Sequence, residues 1–119
     1  MEPITLREKL GQITDTWHPH VVAELNGQHV KLAKVQGEFV WHLHEDADEF
    51  FLVLAGRLII RFRDGQVTLG PGQAFVVPRG TEHQPVADDE THILLFEPAG
   101  TRNTGNVRDA RTRDDLPYL

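Results

Sequence analysis

The chain has 119 residues, 39% hydrophobic and 25% charged, with a formal net charge of -6 and a pI near 5.6. Single domains typically run to about 100–150 residues, so one core fits and two do not. The acidic balance argues against a nucleic-acid surface or an anionic membrane as partner, since either would need a basic stripe. Cysteine is absent, which removes disulfides and thiolate ligands and leaves nitrogen and oxygen as the donors for any metal.

The N-terminal MEPITLREKLGQI lacks the basic start and apolar centre of a signal peptide. No apolar run approaches the roughly 20 residues of a membrane span, and a soluble cytoplasmic protein is expected. Thr5–Glu8, TLRE, reads as a capping box opening a short helix that ends near Gly11. Strands follow. Val21–Leu25 and His29–Val35 flank Asn26-Gly27, the pair that a tight type I′ hairpin favours. Further strands are predicted over Phe39–His44, Glu49–Leu54, Leu58–Arg63, Gln66–Leu69, Ala74–Val77, His83–Val86 and His92–Glu97, separated by turn residues that include Asp88-Asp89. Short strands at this spacing point to an all-β sandwich or barrel. From Thr101 onward the chain turns polar, and a tail over 101–119 is expected to dock through Leu116 and Tyr118.

Side chains alternate across a strand, so Val40, His42 and His44 share one face, and Glu49 falls in phase with Phe51 and Val53. If those faces are interior, Glu49 points at the two histidines, while Glu45, Asp46 and Asp48 face water. An unpaired buried carboxylate costs several kcal/mol. Its convergence with two neutral imidazoles suggests a divalent cation, with His83 a possible fourth ligand from across the barrel. Phe39–His44 and His92–Glu97 carry apolar residues on both faces, so the outer face is expected to be covered by the N-terminal segment, the tail or a second subunit. A homodimer is favoured.

GEFVWHLHEDADEFFLVLAG, Gly37–Gly56, and GQAFVVPRGTEHQPVA, Gly72–Ala87, resemble the two motifs of the cupin superfamily, G(X)5HXH(X)3-4E(X)6G and G(X)5PXG(X)2H(X)3N. The spacing agrees from His42 through His44 and Glu49 to Gly56, and from Gly72 through Pro78 and Gly80 to His83. Two departures stand out: four residues rather than five separate Gly37 from His42, and Ala87 replaces the final Asn. The resemblance implies one cupin-type jelly-roll β-barrel (a double-stranded β-helix) with a short N-terminal helix or extended segment, its conserved-barrel core over about 35–97. It also implies one divalent transition metal (Fe, Mn, Ni, Zn, Co or Cu) on His42, His44, Glu49 and His83.

Other candidates read more plainly. WHPHVVAE, Trp17–Glu24, repeats His-x-His with a later glutamate, but Pro19 cannot donate to a sheet and no second motif pairs with it. His18 and His20 are taken as surface or edge residues, and His29 and His92 as structural ones. Arg57, Arg61 and Arg63 form a solvated face, and Arg79 reads as a surface turn residue before it reads as a substrate anchor. Phe51, Val53, Phe75, Val77, Leu94 and Phe96 are core candidates that could also line a cavity. A ligand set with an open position suits catalysis. The expectation is therefore a metal-dependent enzyme acting on a small organic molecule, by oxygenase, isomerase or lyase chemistry. The alternative is a non-catalytic module that binds or senses a sugar or small acid. No catalytic base is identified; Glu82 and Gln84 are the nearest polar candidates, and strand phase does not place them inside.

Overall fold

The computed structural model describes residues 2–119. Helix α1 (Leu6–Leu10) precedes seven strands: β1 (His20–Leu25), β2 (Gln28–Glu38), β3 (Glu49–Ala55), β4 (Leu58–Phe62), β5 (Gly65–Leu69), β6 (Ala74–Val77) and β7 (His83–Pro98). Every strand pairing is antiparallel, in the order β1-β2-β7-β3-β6, with β4 joining β7 to β5. The all-β architecture expected of a jelly roll is present.

Asn26 and Gly27 adopt φ of 50° and 75°, both left-handed as a type I′ turn requires. The capping box does not form: Thr5 makes no side-chain cap, and α1 is closed by backbone bonds such as Lys9 N–H to the Thr5 carbonyl at 3.1 Å. A five-residue helix has little stability of its own. It persists because Leu10 and the following Ile13 pack on Leu32 of β2, together with Leu54, Leu94 and Leu119. The N-terminal segment and the chain's last residue thus cover one outer part of the sheet.

The break predicted at Asp88-Asp89 does not occur. β7 runs through it, with Val35 facing Thr91 and Gly37 facing Ala87, so three residues of β7 stand opposite one of β2. The turn-forming residues mark a bulge that bends the strand. Beyond the bend β7 pairs β3 through His92–Phe96, and before it pairs β4 through His83–Val86. At the same corner Gly56 has φ +90°, and a Cβ there would sit 2.5 Å from Thr91 Oγ1. Only glycine fits both the conformation and the space.

The main core joins Ala33 and Val35 of β2, Phe51 and Val53 of β3, Leu58 and Ile60 of β4, and Ile93 and Leu95 of β7. Leu94 and Phe96 were expected to share this interior. They lie in the opposite phase: Leu94 packs in the outer cluster and Phe96 is half-buried between Phe50 and Val30 on neighbouring strands. The tail docks through backbone bonds on either side of Tyr118, Val21 N–H to the Pro117 carbonyl and Leu119 N–H to the Val21 carbonyl, both 2.9 Å. Leu116 is half-buried, and Tyr118 is 64% exposed with its hydroxyl 3.1 Å from His29 Nε2.

Candidate metal centre

Phe39–His44 is not a strand. Its ladder contact is one antiparallel bridge between His42 and His83, whose N–H groups donate to each other's carbonyls at 3.0 and 2.9 Å. Without a regular strand the alternation fails at one end: Phe39 turns inward and meets the His42 ring edge-on at 5.4 Å. Trp41 stays half-exposed under the Arg63 guanidinium, 3.7 Å from its ring centroid. At His42 and His44 the expected side holds, and both are buried.

The tail supplies what the missing ladder does not. Leu43 N–H donates to Asn106 Oδ1 at 2.9 Å, and Asn106 N–H donates to the Leu43 carbonyl at 3.0 Å. Beside it Gly105 has φ +57°, and any Cβ would collide with the Leu43 carbonyl and come within 3.1 Å of the His42 ring. On the other flank Gly80 N–H donates to the His44 carbonyl at 2.7 Å.

His42, His44, Glu49 and His83 converge, each offering one ligand atom within 4.8 Å of the others. Glu49 Oε1 lies 3.3 Å from His44 Nε2 and 3.4 Å from His83 Nε2. Carbonyl oxygens accept from Nδ1 of two rings, Val40 to His42 and Thr81 to His83, both at 2.9 Å. Because a carbonyl only accepts, each Nδ1 carries the proton and each Nε2 presents a lone pair to the centre, the arrangement of a metal-ligating histidine. His44 Nε2, Glu49 Oε1 and His83 Nε2 are buried without a hydrogen-bond partner. Native interiors rarely leave such atoms unsatisfied, so three pointing at one place fit a cation as their missing partner. Burial, with His83 close beside it, lowers the His42 pKa to about 4. Burial would raise that of Glu49, but the His44 and His83 imidazoles beside it prevail and hold it well below the usual carboxylate range. Neutral imidazoles and an ionised carboxylate are the forms a divalent ion binds.

A further buried carboxylate lies beside Glu49. Glu97, in phase with Ile93 and Leu95, is 2% exposed, and its Oε1 accepts from Lys31 Nζ at 2.8 Å. Lys31 is 1% exposed and in phase with Ala33 and Val35. Burial and the adjacent Glu49 charge raise the Glu97 pKa against the pull of Lys31. A cavity of about 40 Å³, lined by Trp17, Phe39, His42, Glu49, Phe51 and Glu97 among others, has room for about three waters.

The remaining candidates fall away from the centre. Arg79 binds Asp48 through its N–H at 2.9 Å and its Nε at 3.2 Å, and Glu82 pairs with Arg63 at 2.6 Å. Gln84 donates to the Phe39 carbonyl at 3.0 Å. Ala87 sits fully buried in the main core. Glu45, Asp46 and Asp48 are exposed, as expected. His18 Nδ1 contacts Asp15 Oδ2 at 3.0 Å, and these two with His20 form a second, shallower cluster.

The cupin domain family model matches residues 28–97. The chain is 41% identical over 77 residues to the uncharacterized protein YdbB of Bacillus subtilis (strain 168), covering 64% of this chain and 68% of that one. A cupin-2 domain containing protein from Shewanella frigidimarina NCIMB 400 superposes with a TM-score of 0.79 at 46% identity, over 80% of this chain and 93% of that one. The hydroquinone 1,2-dioxygenase PnpCD, solved with Cd2+ and 4-hydroxybenzonitrile, shares the fold at 19% identity with a TM-score of 0.67, over 77% and 70% of the two chains. Fold, motif spacing and the family match agree: the chain belongs to the cupin domain family.

Proposed function

We propose that this chain is a metal-dependent enzyme acting on a small organic molecule, with one divalent transition metal held by His42, His44, Glu49 and His83. The observation that carries this reading is the convergence of three buried, unpartnered ligand atoms, His44 Nε2, Glu49 Oε1 and His83 Nε2, beside an apolar-walled cavity. A divalent ion in that position would polarise a substrate oxygen or, if redox-active, support oxygen chemistry. The protein's own contribution is to orient the ligands through backbone carbonyls, keep His42 neutral, and exclude water with the Trp17, Phe39 and Phe51 rings. Oxygenase, isomerase and lyase chemistry all fit such a centre, and the dioxygenase of the same fold puts oxygen uptake first among the assays.

Metal analysis of protein purified without added metal or a histidine-rich tag, run beside His83→Ala, tests the reading. About one equivalent, lost in the variant, is expected, and turnover is then sought by oxygen uptake for iron or isomerase and lyase assays for manganese, nickel or zinc. Less than a tenth of an equivalent in both proteins, with no rise in melting temperature on metal titration, would overturn it, because a ligand bound only by the folded state must stabilise it.

A homodimer is part of the proposal. Val76, Phe50, Phe96 and Val30 are cross-strand neighbours in one row on the outer face, and Val76 is 49% exposed. Light scattering should give twice the chain mass, and Val76→Asp should halve it.

A further inference from the structure

Lys31 and Glu97 are the interior charges that the four-ligand centre leaves unexplained. Burying an ion pair costs several kcal/mol per ion, and apolar residues would fill the same space. Only half of the Glu97 carboxylate is used: Oε1 accepts from Lys31 Nζ at 2.8 Å, while Oε2 is buried with no partner. Lys31 is fixed in turn, its Nζ also within 3.4 Å of the Thr101 carbonyl. Glu97 lines the same cavity as the ligands His42 and Glu49, and the remaining walls are largely apolar, among them Val35, Phe51, Ile93 and Leu95.

We propose that Glu97, braced by Lys31, is a substrate-binding residue whose Oε2 accepts a hydrogen bond from a hydroxyl of a small α-hydroxycarbonyl compound seated against the metal. The proposal rests on the metal-centre reading above. Three features select this class. The free carboxylate oxygen beside the ligand set asks for a donor close to the metal-binding oxygen of the substrate, and an α-hydroxycarbonyl carries its hydroxyl one carbon away. The narrow cavity limits the inserted part to a few heavy atoms. Charge sets the rest: with a divalent ion in place, the ion and Lys31 together outweigh the carboxylates inside, which suits a neutral or singly negative molecule. Lys31 acts through Glu97 as a positioning residue.

The test uses the full chain loaded with cobalt(II) and titrated with glycolate, and separately with methoxyacetate, whose ether oxygen ligates but donates nothing. The visible absorption of the ion reports binding in wild type and in Lys31→Met/Glu97→Met, which replaces the pair with apolar side chains of similar length and leaves the ligand quartet intact. Wild type should prefer glycolate by about tenfold or more, the worth of a hydrogen bond to a charged group. In the double variant, at unchanged cobalt content, the preference should shrink to about twofold, the level expected without that bond. If the double variant does not fold, Glu97→Gln reads the same ratio, which should fall at least about threefold because a neutral amide is the weaker acceptor. A ratio unchanged by either variant overturns the role of Glu97, as does cobalt-loaded wild type whose spectrum neither acid perturbs. Wild type that retains no cobalt overturns the metal reading itself, and this inference with it.

Discussion

Two stretches of the chain carry Trp-His-x-His with a glutamate downstream, Trp17–Glu24 and Trp41–Glu49, and they become different objects. In the second, His42 and His44 are buried, Glu49 turns toward them, and His83 arrives from β7 to complete four converging donors. In the first, His18 keeps company with Asp15, whose side chain is 53% exposed, and His20, although buried, joins only these two in the shallower cluster among the described residues. Glu24 turns away to His29, 3.5 Å distant, and Tyr118. The lesson is that spacing supplies candidates and the convergence of buried donors from separate elements selects among them. His42 and His44 stand out because, with Glu49 and His83, they bring four buried donor atoms within 4.8 Å of one another.

The largest effect expected from this contrast is on metal content. His83→Ala should drop bound metal from about one equivalent to less than a tenth, whereas His18→Ala/His20→Ala should leave it unchanged by elemental analysis, since only His83 is one of the four buried converging donors. Equal losses in both variants would erase the distinction between the two stretches.

Next comes the clamp that makes the interior pair rigid. Gly105→Ala forces a Cβ against the Leu43 carbonyl, so it should loosen His42 and His44 and weaken metal affinity by about 10–100-fold, the range seen for changes just outside a ligand shell. Asn106→Ala should move the same way by less. Competition with a chromophoric chelator measures both, and an unchanged affinity would mean the clamp is dispensable.

The smallest effect is on pH dependence without metal. His42 is held at about 4 when folded, against 6.5 for an ordinary histidine, so between those values the unfolded chain binds the proton and the folded chain does not. Stability is therefore full above pH 6.5 and declines as the pH falls toward 4, by at most about 3 kcal/mol from this group. Chemical denaturation of metal-free protein at pH 7 and pH 5 reads the slope. His42→Gln should flatten it, while His18→Ala should not.

The four converging donors were legible because they match the spacing of the two cupin motifs, and Glu49 by strand phase as well. Lys31 and Glu97 obey the same alternation, two residues before Ala33 and two after Leu95, each a charge in step with interior apolar residues. Phe39 escapes strict alternation because the chain there is not a regular strand, and it is tied to β7 by its N–H to the Pro85 carbonyl at 2.9 Å and by the His42–His83 bridge. Asp88-Asp89 looked like a turn because bulges and turns favour the same residues; only pairing with β2 distinguishes them. The clamp by Gly105 and Asn106 left no periodic trace, since it works through one amide, two backbone groups and the absence of a side chain.

That clamp also orders events in time. Asn106 follows Leu43 by 63 residues, and β7, which pairs with β2, β3 and β4, is the last strand to be synthesised. A ribosome therefore exposes both histidines of the 42–44 segment well before either His83 or the residues that steady them have emerged. Long-range pairing of this kind is slow to form, and the growing chain has loose imidazoles but no assembled cage. The four converging donors are thereby brought together only when the polypeptide is nearly finished.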